Sequence, residues 1–125
     1  MSKQKRILII EDDVYIRDLY AEILGEAGYD VATAVDGEEG LVKAKIGGYH
    51  LILLDVMMPK LDGLGVLHGL QQNPPQNPNG QVILLTNLAQ DEVVQEALKT
   101  GANDFVIKSD LNPQELLTRL ESYLT

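Results

Sequence analysis

The chain lacks cysteine and tryptophan, and phenylalanine occurs only once in its 125 residues. Without cysteine the protein can form neither a disulfide framework nor a thiolate metal site, which suits a reducing cytoplasm. Long apolar runs are also missing, since only Ile7–Ile10 separates the basic N-terminus from three acidic residues. That run is too short for a signal peptide or a membrane span. We therefore expect a cytoplasmic protein with no membrane partner.

Basic residues are scarce as well, with 10 Lys and Arg against 19 Asp and Glu and a net charge of −9. A nucleic-acid-binding protein needs a basic face, and the only basic cluster is Lys3, Lys5 and Arg6, so direct binding to nucleic acid is not expected. The acidic surplus either keeps the protein soluble or brings acids together around a cation. The length fits one domain with a buried core, and we assign residues 1–125 to it, as a monomer or weak dimer without an effector domain.

Hydrophobic periodicity predicts five strands that alternate with five helices. The predicted strands are Arg6–Ile10, Tyr29–Ala34, Leu51–Asp55, Gln81–Leu85 and Phe105–Ile107. The predicted helices are one built on Ile16, Leu19, Tyr20, Ile23 and Leu24, then Gly37–Ile46, Leu64–Gln72, a segment near Asp91–Lys99, and one with the inner stripe Leu116, Leu117, Leu120 and Leu124. This alternation implies a parallel sheet covered by helices on both faces. We predict a doubly wound α/β fold, flavodoxin-like (βα)5, with strand order 2-1-3-4-5.

Helix boundaries carry recognisable signals. Asp36 and Glu39 form a D-x-x-E capping box, and Asn112 with Glu115 predicts another, with Pro113 at the first helical position. Gly28 is predicted to end the first helix in a left-handed conformation.

Polar side chains follow the ends of four predicted strands. The candidate site residues are Glu11, Asp12 and Asp13 after the first strand, Asp55 at the end of the third, Thr86 after the fourth and Lys108 after the fifth. Parallel strands end at one edge of the sheet, and in the predicted order the first and third strands flank the switch point where ligands bind. Asp12 and Asp55 should therefore face each other, with Thr86 and Lys108 beside them.

This set of residues suits phosphoryl transfer. Clustered carboxylates repel unless a cation or a proton joins them, and oxygen ligands favour Mg²⁺ or Mn²⁺. A backbone carbonyl from the loop after Asp55 is a further candidate ligand. A carboxylate can attack phosphorus, while a metal ion, a lysine and a hydroxyl balance the charge on the phosphoryl oxygens.

Four motifs together resemble one family across the whole chain. They are IIEDD after the first strand, LLDVMMPKLDG around Asp55, ILLTN at Thr86 and FVIKS at Lys108. The sequence resembles the receiver domain of two-component response regulators, of the chemotaxis-regulator-like superfamily.

The resemblance implies a role for each site residue. Asp55 would be the phosphoacceptor, Asp12 a direct ligand of Mg²⁺, and Glu11 a ligand through water, with Asp13 outside the first coordination shell. Met57 would offer its backbone carbonyl to the metal, Thr86 and Lys108 would hold the phosphoryl group, and Phe105 would be a rotamer switch linked to Thr86. The resemblance further implies a sensor histidine kinase or histidine phosphotransfer protein as phosphodonor, in phosphorelay signal transduction. Output would pass through the fourth helix, fifth strand and fifth helix, to an unidentified protein.

Several positions depart from the family pattern. Ser109 replaces the usual proline after the lysine, and because a cis bond before a non-proline residue costs about 3 kcal/mol, we expect a trans bond. Asn87 is larger than the usual residue after the threonine. Met57 and Leu88 stand where the family positions the hydrolytic water, and both are apolar, so we predict slow self-dephosphorylation.

Three other functions remain open from the sequence. A degenerate receiver would bind a partner without being phosphorylated. An aspartyl phosphatase or phosphotransferase typically carries a second aspartate two residues after the first, where this chain has Met57. A flavin-binding protein of the same fold would need a loop rich in hydroxyls and glycine after the first strand, where this chain has acids. Beyond catalysing its own phosphorylation and slow dephosphorylation, the protein is not expected to be an enzyme.

Overall fold

A computed structural model of the chain describes residues 4–87, 92–109 and 111–124. The elements, in chain order, are β1 Arg6–Ile10, α1 Val14–Glu26, β2 Asp30–Ala34, α2 Gly37–Ile46, β3 Leu51–Asp55, α3 Gly63–Gln72, β4 Gln81–Thr86, α4 Glu92–Thr100, β5 Asp104–Ile107 and α5 Pro113–Ser122. Every predicted element is present, with ends shifted by at most one residue where both are defined. The predicted start of α4 at Asp91 lies outside the described residues.

The five strands form one parallel sheet in the order β2-β1-β3-β4-β5, which confirms the predicted topology. β1 and β3 are paired directly, with Ile10 opposite Leu54. Asp55 is opposite Leu85, and Thr86 is opposite Ile107. This register brings the residues that follow Ile10 next to Asp55, and places Thr86 on the neighbouring strand.

Alternate strand residues pack into two cores, one on each face of the sheet. Leu8, Ile10, Ile52 and Leu54 pack with side chains of α2, α3 and α4 on one face. Ile7, Ile9, Leu51 and Leu53 pack with α1 and α5 on the other face. Each fully buried aliphatic side chain contributes about 1.5–3 kcal/mol relative to an exposed one, so the sheet gains stability from both faces. The fold thus sets the positions of the strand ends relative to one another.

Helix ends follow the sequence signals with one difference. Asn112 and Glu115 form the predicted capping box, and Gly28 is left-handed with a φ of 99°. Asp36 accepts a hydrogen bond from the Glu39 backbone N–H at 2.9 Å, as predicted. The Glu39 carboxylate, however, accepts from the N–H of Val35 at 2.7 Å, so the reciprocal bond reaches one residue before the cap.

The five apolar residues from which α1 was predicted are not equally buried. Tyr20 and Leu24 are buried, whereas Leu19 is 45% exposed. Leu19 is adjacent to Tyr20 in sequence and therefore lies about 100° away around the helix, outside the face that contacts the sheet. No helix in residues 4–87, 92–109 and 111–124 is long and apolar enough to cross a membrane.

Candidate functional site

Three carboxylates meet at the C-terminal edge of the sheet. One ligand oxygen each of Glu11, Asp12 and Asp55 lies within 4.8 Å of the others. Glu11 continues the path of β1, because its N–H donates to the carbonyl of Ala34 at 3.1 Å. Asp55 ends β3, and its neighbour Val56 is held by a bond to the Leu85 carbonyl at 3.2 Å. The structure thus brings together the acids predicted from the strand ends.

Lys108 forms ion pairs with two of these acids. Its Nζ lies 2.6 Å from Glu11 Oε1 and 3.2 Å from Asp55 Oδ1. The lysine is held in place by its backbone, whose N–H donates to the carbonyl of Thr86 at 2.8 Å. Glu11 is fully buried, and its Oε1 accepts no hydrogen bond within the described part of the chain apart from this ion pair. A buried carboxylate needs such compensation, so Lys108 is the cation that makes the burial of Glu11 tolerable.

The electrostatics of the site favour an additional positive charge. The pKa of Asp55 is raised from 3.8 to about 8, mainly by burial and then by the neighbouring Glu11 and Asp12, against the opposing effect of Lys108. Burial lowers the pKa of Lys108, but its contacts with Glu11 and Asp55 outweigh burial and the net shift is upward. Three carboxylates thus face one lysine, and a proton or a divalent cation relieves their repulsion.

An open cavity of about 340 Å³ gives access to these groups. Its lining includes Thr86, Asn87 and Met57 together with the three acids and Lys108. Thr86 is buried, whereas Met57 is 66% exposed. The exposed Asn87 stands at the rim of the cavity. The chemistry-bearing side chains therefore line one concave surface that solvent can reach.

The loop after Asp55 is held against the carboxylate from two directions. The N–H of Met57 donates to Asp55 Oδ1 at 3.2 Å. The first residue of α3, Gly63, donates its N–H to the Val56 carbonyl at 3.0 Å. A Cβ at Gly63 would lie 2.7 Å from the Asp55 carbonyl oxygen, so only glycine fits there without displacement. Asp62 caps α3 by accepting from the N–H of Gly65 at 2.8 Å.

The other sequence-predicted residues have varied surroundings. Asp13 accepts hydrogen bonds from the N–H groups of Tyr15 and Ile16 and so caps α1. Phe105 is half-buried and packs against the core under α4. None of the described peptide bonds is cis, which confirms the trans bond expected between Lys108 and Ser109. Leu88 lies outside the described residues.

Two residues near the site were missed from the sequence. Arg17 donates from Nη1 to the backbone carbonyls of Glu11 at 3.0 Å and Asp12 at 3.4 Å. Its place one turn after Asp13 is the signal that was available. Tyr20 is buried, and burial raises the pKa of its hydroxyl, with Lys108 opposing and Glu11 and Asp55 adding to the rise. Only tertiary packing reveals that this tyrosine lies near the acids.

Comparison with known proteins gives one family. The model of the response regulator receiver domain matches residues 7–121. A probable transcriptional regulator ycf27 from Cyanophora paradoxa is 39% identical over 97% of this chain and 48% of its own length. The chemotaxis protein CheY from Treponema pallidum is 34% identical over 95% of this chain and 82% of its own length. A chain in the crystal structure of the CheX–CheY–BeF3–Mg²⁺ complex from Borrelia burgdorferi has a TM-score of 0.81 at 28% identity, covering 97% of this chain and 90% of that one.

The chain spans about half the length of ycf27, whereas it spans most of the length of the chemotaxis protein. The family match, the parallel order β2-β1-β3-β4-β5 and the grouped acids agree with one another. The chain belongs to the response regulator receiver domains of two-component signalling, and its fold is the flavodoxin-like fold of the CheY-like proteins.

Proposed function

We propose that Asp55 accepts a phosphoryl group from a phosphohistidine of a sensor kinase or phosphotransfer protein, with Mg²⁺ or Mn²⁺ in the site. The observation that carries this proposal is the meeting of Glu11, Asp12 and Asp55 oxygens within 4.8 Å beside Lys108. The protein would act in the cytoplasm, as a phosphorylation-driven switch of protein interactions rather than as an enzyme with a separate substrate.

The donor set fits a hard divalent cation. All available side-chain ligands are oxygens, as Mg²⁺ prefers, and the buried Glu11 Oε1 has the ion pair with Lys108 as its one partner among the described residues. Asp12 and Asp55 would hold the ion directly, Glu11 through water, and Met57 through its backbone carbonyl. When bound, the ion would supply positive charge beside the oxygens of the incoming phosphoryl group. The exposed carboxylate of Asp12 leaves an approach to the site from solvent.

Each side chain then has a chemical task. An Asp55 carboxylate oxygen attacks phosphorus, the P–N bond of the phosphohistidine breaks, and the imidazole leaves with its electron pair. Lys108, already 3.2 Å from Asp55 Oδ1, offsets the charge of the transferred group. Thr86 ends the neighbouring strand, and its hydroxyl would donate to a phosphoryl oxygen. These residues act by position and charge, as phosphoryl transfer requires.

The response to phosphorylation would run from Thr86 to Phe105. Thr86 would move towards the phosphoryl group, and the half-buried Phe105 would turn inward behind it, altering the face formed by α4, β5 and α5. The phosphorylated state would be long-lived, because the exposed side chain of Met57 is apolar and cannot orient a hydrolytic water.

The proposal is tested by incubation with a small phosphodonor, such as acetyl phosphate, and Mg²⁺, followed by intact-mass measurement. The expected result is one added phosphoryl group that is absent from Asp55→Asn and from samples without a divalent cation. Asp30→Asn is the matched control, since Asp30 begins β2 at the opposite edge of the sheet, and it should be modified like the wild type. Unmodified wild-type protein, with every donor tried, would contradict the proposal and favour a receiver that binds partners without phosphorylation.

A further inference from the structure

The Glu11 N–H is still held by the sheet, through the Ala34 carbonyl at 3.1 Å, but the carbonyls of Glu11 and Asp12 lie beyond β1 and need other donors. Among the described residues, Arg17 Nη1 donates to both carbonyls, at 3.0 Å from Glu11 O and 3.4 Å from Asp12 O. We infer that Arg17 is a positioning residue: its guanidinium fixes the two peptide units that carry the acid pair, and thereby sets the affinity of the site for a divalent cation. This inference rests on the proposed function.

The guanidinium contacts carbonyls and leaves the carboxylates to other partners. No ion pair within 4.0 Å links Arg17 to an acid in the described part of the chain, and the charge of Glu11 is paired with Lys108 instead. Arg17 therefore does not compete with a cation for the carboxylate oxygens of Glu11 or Asp12. Its hydrogen bonds act on the direction in which those carboxylates leave the backbone.

Arg17 can do this because its own helix is anchored independently. Asp13 caps α1 through the N–H groups of Tyr15 and Ile16, and the Arg17 N–H donates to the Asp13 carbonyl at 2.9 Å. Farther along α1, Tyr20 and Leu24 are buried against the sheet. The half-buried side chain of Arg17 thus reaches from a fixed helix back to the acidic loop. Shortening or neutralising it removes the support of the loop without removing the anchors of the helix.

The loss of Arg17 has opposite consequences for cation affinity under two explanations. If the residue contributed only its charge, its removal would make the site more negative and a divalent cation would bind more tightly. If it positions the acid pair, removal frees the carboxylates to adopt other directions and binding weakens. Groups that orient metal ligands typically contribute about 10–100-fold to metal affinity. The direction of the change in affinity therefore distinguishes positioning from simple electrostatics.

The experiment titrates Mn²⁺ into the unphosphorylated protein and counts free Mn²⁺ by electron paramagnetic resonance. Arg17→Met keeps the apolar stem and removes the donors, and we expect its Kd for Mn²⁺ to rise about 10-fold. Arg17→Lys keeps the charge with a single ammonium group in place of the planar fork, and its Kd should rise by a smaller factor. Lys45→Met makes the same change of charge on the exposed face of α2 and should leave the Kd unchanged.

Phosphorylation with acetyl phosphate supplies a second readout. In Arg17→Met the Mg²⁺ concentration for half-maximal rate should rise by the same factor, while the rate at saturating Mg²⁺ should approach that of the wild type. A merely structural defect would lower the rate at every Mg²⁺ concentration, and that result would overturn the inference. Far-ultraviolet circular dichroism verifies folding, and if Arg17→Met does not fold, Arg17→Lys alone carries the test.

The outcomes separate this inference from the function on which it rests. Wild-type protein that binds no Mn²⁺, or binds it equally well after Asp12→Asn, contradicts the proposed function itself. Wild-type protein that binds Mn²⁺ through Asp12, with equal or tighter binding in both Arg17 variants, overturns only the role of Arg17.

Discussion

The buried carboxylate of Asp55 should make the metal-free protein less stable as the pH rises. Its pKa is raised from 3.8 to about 8, first by burial and then by Glu11 and Asp12. Between these two values the folded protein keeps a proton that the unfolded chain has lost, so unfolding releases it. Stability then falls by at most about 1.4 kcal/mol per pH unit. The sign is opposite to that of a carboxylate paired with a cation, whose folded pKa is lowered.

Asp55→Asn removes this dependence with little change of shape. The full rise in pKa would correspond to an upper bound of about 6 kcal/mol above pH 8. Rearrangement of Lys108 and water around the ionised group reduces this figure. We therefore expect the free energy of unfolding of Asp55→Asn to exceed that of the wild type by about 2–4 kcal/mol at pH 8. At pH 5 the folded wild type is nearly neutral at this position while the unfolded chain is mostly ionised, and the difference should be about 1.5 kcal/mol.

Urea unfolding in EDTA, followed by circular dichroism at pH 5 and pH 8, measures both differences. Asp30→Asn provides the control, because Asp30 is exposed at the opposite edge of the sheet and should show no comparable change with pH. If Asp55→Asn is more stable than the wild type by the same amount at pH 5 and pH 8, Asp55 does not hold a proton in the folded state. A less stable Asp55→Asn at pH 8 would show that the ionised carboxylate is stabilised by its neighbours, and would refute the reasoning.

Three further predictions concern neighbouring residues. Lys108→Met should slow phosphorylation of Asp55 by acetyl phosphate about 100-fold, because it removes the cation nearest the reacting oxygen. Lys45→Met should react at the wild-type rate. Equal rates for Lys108→Met and the wild type, in a time course followed by intact mass, would exclude a role for Lys108. Gly63→Ala should lower the free energy of unfolding by about 1–3 kcal/mol, because its Cβ would lie 2.7 Å from the Asp55 carbonyl oxygen, and an unchanged urea midpoint would contradict that contact. Met57→Asn should shorten the lifetime of the phosphoryl group severalfold by adding a side chain that can orient water, and an unchanged decay by mass spectrometry would show that water is positioned elsewhere.

The order and type of the elements were predictable because local patterns and topology agree. The apolar run Leu51–Leu54 marks a strand buried on both faces, and the structure confirms that all four side chains are buried. The strand-end acids were predictable for a related reason: a parallel sheet must collect residues 11, 12 and 55 at one edge. The hydrophobic periodicity of the sequence and the order of the strands in the sheet therefore determine which residues meet at the C-terminal edge.

The sequence did not reveal which partner each polar group selects at that edge. Glu11 was expected to act towards a metal through water, and in the structure its carboxylate is already paired with Lys108 from the other side of β3 and β4. Glu39 likewise bonds to Val35 rather than to the predicted cap. These choices depend on the path of each loop and on side-chain rotamers, which spacing in a sequence does not encode. The spacing of Arg17, one turn after Asp13, was available, but it does not show that the guanidinium reaches back to the carbonyls of Glu11 and Asp12.

The position of Lys108 links the two halves of the proposed site. β1 and β3 are neighbours, so the acids at their C-terminal ends repel each other. The lysine that offsets their negative charge follows β5, the outermost strand on that side of the sheet. Its ammonium group forms ion pairs with both Glu11, at 2.6 Å, and Asp55, at 3.2 Å. A phosphoryl group on Asp55 would add negative charge on that side and draw Lys108 away from Glu11. Because the Lys108 backbone is bonded to Thr86, the same shift would act on the strand end that carries the hydroxyl, and from there on β5.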